Sequence, residues 1–254
     1  MPRINGLLPL YLVYSSHKSG TQSVVRTLTA SGFPASHFHC LEDASLLPED
    51  FVGYLKFAKD HYGKKPTIIS SFRLPVDRHI SSFFQWYGIG CLKHIPSYRS
   101  SDSVIALSGL GALNSLFVSN LASRRFVGYK DSIHEIFRVL HLDPRSFSRQ
   151  QSEGGGFFHL EHPDVNIFLI RYEYLFRVFP LSLERMLGEP FRGGIIANRA
   201  SDKWYSVKYV QFRSSLRIPA EVIQMTYLDR KDLIDLFYPG SYEDLLAADI
   251  RRYN

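Results

Sequence analysis

The sequence predicts an α/β fold built on a central parallel sheet flanked by helices, and three observations carry that expectation. An apolar and aromatic run over residues 7–15 leads straight into a short polar loop and then a helix with an apolar stripe. Two further runs, Pro66–Phe72 and Val165–Arg171, are rich in β-branched and large apolar residues and suit strands covered on both faces. Between them lie long stretches whose apolar residues recur at helical spacing. Strands that alternate with helices pair in parallel through crossovers. One domain over residues 1–254, with a helical C-terminal third, is the simplest account.

Each element has its own signals. After the first strand, Gly20 opens a helix carrying Val24, Val25 and Leu28, which Gly32 stops. His37–Leu41 reads as a short second strand. Pro48–Tyr62 reads as a helix with Pro48, Glu49 and Asp50 in its first turn, where a missing N–H costs nothing and acids favour the dipole. Pro75 starts another helix bearing Ile80, Phe83 and Phe84. Further helices are expected over Ser103–Ser123, Asp131–Leu142, Phe176–Leu187, Ser206–Leu216, Ala220–Tyr238 and Tyr242–Arg252, and a polar, glycine-rich loop over Asp143–Gly156.

Composition narrows the function classes. Apolar residues make up 45% and charged residues 21%, and 19 Phe with 15 Tyr promise a sizeable core rather than disorder. Net charge is +6 with a pI near 9.2, which serves solubility or an anionic ligand alike. Lys and Arg are dispersed, with no zinc-finger spacing and no RNA-binding aromatic signature, so nucleic acid is not the expected partner. Cys40 and Cys91 make no disulfide framework, and residues 7–14 are too short to span a bilayer. A cytoplasmic chain without a membrane anchor is the expectation.

Anionic ligands in such sheets bind beyond the carboxyl ends of strands, at helix N-termini. His17-Lys18-Ser19-Gly20-Thr21-Gln22-Ser23 stands at that place. Gly20 permits a tight turn, backbone N–H groups face the ligand, Lys18 adds a charge, and Thr21, Gln22 and Ser23 add donors. An ordinary capped strand-to-helix turn remains the alternative. Lys precedes Gly, so this is not a Walker loop. After the third strand, Arg73 and Ser81, the latter inside the helix begun by Pro75, converge on a second phosphate, whereas Arg78 reads as a solvated surface charge.

At these residues the chain resembles the sulfotransferases that use 3′-phosphoadenosine 5′-phosphosulfate (PAPS). Their first loop reads Lys-x-Gly-Thr and holds the 5′-phosphosulfate; their second element reads Arg-x-Pro-x-x-Arg-x-x-Ser and holds the 3′-phosphate. Both patterns occur here in order, from Lys18 and from Arg73 to Ser81. Ile170-Arg171-Tyr172-Glu173-Tyr174-Leu175 is similar to the family's Arg-Tyr-Glu-Asp-Leu stretch, with Tyr174 in place of Asp. His37-Phe38-His39-Cys40-Leu41 and Asp202-Lys203-Trp204-Tyr205 resemble a bacterial branch associated with capsular polysaccharide synthesis and related to carbohydrate sulfotransferases.

The resemblance implies a P-loop-like sulfotransferase fold and in-line sulfuryl transfer from PAPS to a carbohydrate hydroxyl, with adenosine 3′,5′-bisphosphate as product and no metal. Lys18 would stabilise the leaving bridging oxygen. His39 is the first choice of general base, followed by His37, Glu42 and Asp43. His17 replaces the family's usual Pro and would contact phosphate. Trp204 and Tyr205 would stack on adenine or a sugar, or else pack a helix onto the sheet. Lys203, Lys208 and Arg213 would suit an anionic glycan, or else form a solvated helix face. Two other readings stand beside this one: a P-loop-like ATP-dependent small-molecule kinase, and a non-catalytic nucleotide- or polysaccharide-binding protein.

Overall fold

The computed structural model describes residues 9–16, 18–42, 47–87, 103–124, 132–143, 156–177, 179–191, 193–197 and 200–254. His17, Asp43, Cys91 and nearly all of the expected 143–156 loop lie outside them. The chain divides into two compact units, Met1–Arg73 with Lys130–Ala197, and Leu74–Tyr129 with Asn198–Asn254.

The first unit is an α/β sheet unit. β1 (Tyr11–Tyr14), α1 (Thr21–Ala30), β2 (Ala35–Phe38), α2 (Pro48–Tyr62) and β3 (Thr67–Phe72) follow one another, and after the return come α6 (Ser132–Val139), β4 (Phe157–Glu161), β5 (Asn166–Arg171), α7 (Tyr172–Arg177) and α8 (Leu181–Leu187). The five strands lie in the order β2-β1-β3-β5-β4. All four residues of β1 and all six of β3 are buried, as expected of central strands covered on both faces. Leu10, Tyr11, Val13, Val24, Leu28, Ile69, Ile170 and Leu175 belong to one buried cluster, so the apolar stripe of α1 closes over β1.

The sheet is mostly rather than wholly parallel. β4 pairs antiparallel with β5, a strand absent from the sequence reading. Its burial alternates along Phe157, Phe158, His159, Leu160 and Glu161, the half-covered pattern of an edge strand. His162 and Val165 exchange backbone hydrogen bonds at 3.1 and 3.4 Å around Pro163-Asp164. A proline–aspartate turn between two apolar runs was the available signal.

The second unit is helical: α3 (Pro75–Gln85), α4 (Val104–Leu107), α5 (Leu110–Ala122), α9 (Ser206–Ser215), α10 (Ala220–Leu228), α11 (Lys231–Phe237) and α12 (Tyr242–Tyr253). Phe83, Phe84, Phe117 and Phe212 are fully buried, and Phe212 has its ring centroid 5.1 to 5.7 Å from the other three. Three expected helical stretches are broken, the first of them at one of the two glycines that loosen it in the sequence. The 103–123 stretch divides at Ser108-Gly109, with the Ser103 side chain accepting from Ala106 N at 3.0 Å to cap α4. The 176–187 stretch becomes α7 and α8, with Pro180 at the start of α8, where it cannot extend the preceding helix. The 220–238 stretch divides at Asp229, whose carboxylate accepts two hydrogen bonds from Arg124 at 2.9 and 2.7 Å.

Candidate functional site

Strand order fixes where a ligand site can form. From β1 the chain turns outward to β2, and β3 pairs on the other side of β1. At such a switch point the segments leaving the two carboxyl ends diverge and open a crevice. Here they are the loop of residues 15–20 after β1 and Arg73 after β3. Both motifs singled out in the sequence therefore begin at the same edge of the sheet.

The loop is pinned from beneath. Ser71 N donates to Ser15 Oγ at 2.6 Å, and Ser71 Oγ donates to the Ser19 carbonyl. Ser132 N donates to Ser16 Oγ at 3.3 Å, which ties the start of α6 to the end of β1. Lys18 has φ 66 and Gly20 φ 84. The left-handed region costs a non-glycine residue of order 1–3 kcal/mol and persists where surrounding contacts over-determine it. Gly20 is constrained twice, because a Cβ there would also lie 2.5 Å from the Phe176 ring.

This geometry leaves a polar deficit. Gly20 caps α1 without a side chain, and no acidic residue lies in the first turn, so nothing in that turn answers the positive end of the helix dipole. Ser19 is 1% exposed, yet its Oγ has no hydrogen-bond partner among the described residues. A buried hydroxyl without a partner costs about 1–3 kcal/mol, which a ligand oxygen would recover.

Arg73 joins the loop directly. Its Nη1 donates to the Lys18 carbonyl at 3.2 Å, and its guanidinium lies 4.5 Å from the Tyr172 ring centroid. Tyr172 therefore orients Arg73, a role sequence reasoning missed. Ser81 belongs to the helical unit, part-exposed on α3. Arg78 is not a solvated charge: it is 3% exposed, because it shares α3 with buried His79, Ile80 and Ser82.

Two side chains read as phosphate donors are engaged elsewhere. Ser23 Oγ accepts from Ala197 N at 2.9 Å, and Thr27 Oγ1, one turn on, accepts from Ile195 N at 2.9 Å. The 193–197 segment thus lies along α1. Gln22 Nε2 lies 2.7 Å from His37 Nε2. Thr21 is buried at the first position of α1.

Strand β2 ends at Phe38, so His39 lies one residue beyond it. The rings of His37 and His39 still neighbour each other, with centroids 5.8 Å apart. His39 Nδ1 donates to the Ser15 carbonyl at 2.7 Å. Burial, and then the neighbouring His39, hold the His37 pKa below the ordinary imidazole value. Glu42 is exposed. Glu135 on α6, unmarked in the sequence, accepts from Tyr14 OH and from Leu41 N at 3.1 Å. Burial first, then this contact, push the Tyr14 pKa up, so its hydroxyl remains a donor.

Of the C-terminal candidates, Tyr205 is 4% exposed and lies 5.6 Å from Phe84; it is a core residue of the helical unit. Trp204 is 44% exposed. Lys208 donates to the Ala106 carbonyl at 3.0 Å, and Arg213 pairs with Asp77 at 2.6 Å. These two cations hold helices together rather than forming a solvated face.

Among the described residues, no group of three or more His, Cys, Asp or Glu is placed to hold a metal ion, and no helix is long and apolar enough to cross a membrane. The fold and site define an α/β protein whose mostly parallel sheet carries a lysine- and glycine-containing strand-to-helix loop at its switch point. No family model matches the chain, and no curated protein or solved structure matches it either.

Proposed function

We propose that the protein is a sulfotransferase that moves the sulfuryl group of PAPS to a hydroxyl of a carbohydrate acceptor. The observation that carries this reading is the buried, unpartnered Ser19 hydroxyl beside the acid-free amino end of α1, in a loop that also bears Lys18 and contacts Arg73. That combination suits an anionic oxygen. The pairing of Lys18 before Gly20 with Arg73 beyond β3 suits a ribose phosphorylated at two positions.

In this reading Lys18, Ser19 and the α1 amides bind the 5′-phosphosulfate, and Arg73 binds the 3′-phosphate. His39 Nε2 accepts the acceptor's proton as the hydroxyl oxygen attacks sulfur in line. The sulfur–oxygen bond to the bridging position breaks, and Lys18 faces the charge left on the departing phosphate. His39 suits the task because its Nδ1–H, held by the Ser15 carbonyl, leaves the lone pair on Nε2.

Thermal shift tests the reading. Adenosine 3′,5′-bisphosphate raises Tm, Mg-ATP does so far less, and Arg73→Ala loses the response to the bisphosphate. A strong response to Mg-ATP with none to the bisphosphate overturns it in favour of a kinase.

A further inference from the structure

The two neighbouring histidines are held in opposite ways, and this separates their chemistry. A carboxamide nitrogen only donates, so at the 2.7 Å contact with Gln22 Nε2 the His37 Nε2 accepts and the His37 proton sits on Nδ1. A carbonyl oxygen only accepts, so at the 2.7 Å contact with Ser15 the His39 proton also sits on Nδ1, and Nε2 carries the lone pair. The lone pair of His37 is therefore committed to a side chain on α1. With ring centroids 5.8 Å apart, two imidazolium ions would repel each other strongly in a partly desolvated setting.

We propose that Gln22 is a positioning residue: from the first turn of α1, its amide keeps His37 neutral with the proton on Nδ1 and its lone pair committed, which removes His37 from the choice of general base. The inference rests on the sulfuryl-transfer reading for the need of a base, but not for the state of the two rings. It also gives Gln22 a role other than phosphate ligand, in keeping with where its side chain points. Among the described residues, the charged and titratable groups on the surrounding elements are Lys18 on the loop, Arg26 on α1, Cys40 and Glu42 after β2, and Glu135 on α6. Glu135 is engaged by Tyr14 OH and Leu41 N. The depressed His37 pKa, from burial and the adjacent His39, accords with a ring that stays neutral.

Nitrogen-resolved imidazole NMR on the full chain is the test. In the wild type, His37 is expected as the Nδ1–H tautomer, the minor form of free imidazole, titrating below the ordinary imidazole range because of its burial and the adjacent His39. In Gln22→Glu the new carboxylate accepts from Nε2, turns His37 into a cation and raises its titration midpoint by about one pH unit or more. His39 keeps its Nδ1–H in both proteins. Turnover in Gln22→Glu falls through kcat with little change in KM for the nucleotide, and Gln22→Asn, which retains an amide donor, recovers part of it. An Nε2–H His37 in the wild type, or an unaltered His37 titration in Gln22→Glu, overturns the proposal, and the first of these needs no variant to fold. Absence of sulfuryl transfer with the ring states as stated removes the reaction assigned above and leaves the division within the pair. Failure of the ring states in an active enzyme removes only the role of Gln22.

Discussion

The helices that follow β1 and β3 have amino termini finished in contrasting ways. α1 follows β1 through a loop with two left-handed residues, has no acid in its first turn, and borders a buried hydroxyl without a partner. α3 follows β3 with Pro75 at its start and Asp77 in its first turn. Asp77 accepts from Arg213 at 2.6 Å and from Tyr253 OH at 3.3 Å. The positive end of α3 is thus answered by a carboxylate of its own helical unit. That of α1 is answered by nothing on its own first turn, and a cation stands beside it. One helix start is finished by the fold; the other, in the function proposed above, is completed by the ligand.

Substitutions should separate the two starts. The largest expected effect is on catalysis: Lys18→Ala lowers kcat by about 10²–10³-fold, the scale of losing one donor to a developing oxyanion, with Tm nearly unchanged because the side chain is only half-buried. Steady-state sulfuryl transfer alongside calorimetry checks both halves. Gly20→Ala is expected to destabilise by about 2–4 kcal/mol, since it combines a left-handed φ with a clash against Phe176; urea unfolding measures this. At the other start, Asp77→Asn is expected to cost about 1–2 kcal/mol in stability through its bonds to Arg213 and Tyr253, and to leave bisphosphate binding intact. Loss of binding there without loss of stability would erase the contrast.

The smallest effect is the most diagnostic. Ser19→Ala removes a buried hydroxyl that has no partner among the described residues, so the ligand-free protein should gain up to about 1 kcal/mol while affinity for the bisphosphate falls several-fold. Equal losses in both would mean that the hydroxyl is already satisfied without ligand.

Acid offers a test confined to the helical unit. Burial, then Arg78 and Arg230, hold the His79 pKa well below its usual value, so the folded protein keeps this ring neutral. The unfolded chain takes up the proton from about pH 6.5 downward. Stability is therefore full above that pH and is lost as pH falls toward the folded value. Denaturation midpoints between about pH 7.5 and 5 should decline, and His79→Gln should flatten the decline.

Much of the sheet unit was legible because its signals are local. Pro48 with its two acids starts α2, Gly20 opens α1 and Gly32 stops it, and the apolar runs gave β1, β3 and β5. Where signals were local but weak, the reading missed: β4 is five residues long and only alternately buried, and the breaks at Pro180 and Asp229 lay within apolar helical patterns. His37 and His39 were read as sharing one face of a strand. Their rings do remain neighbours, although the strand stops between them.

By itself the sequence determined the α/β class, the loop after the first strand and the cation within it, because backbone propensity, turn chemistry and apolar periodicity act over a few residues. Tertiary structure alone decided which of those side chains meet. Arg73 reaches the Lys18 carbonyl 55 positions away, Ser23 turns to Ala197 at a separation of 174, and Tyr14 finds Glu135 at 121. The physical reason is that a hydrogen bond depends on distance in space, and chain separation carries no trace of it until strands pair and helices pack.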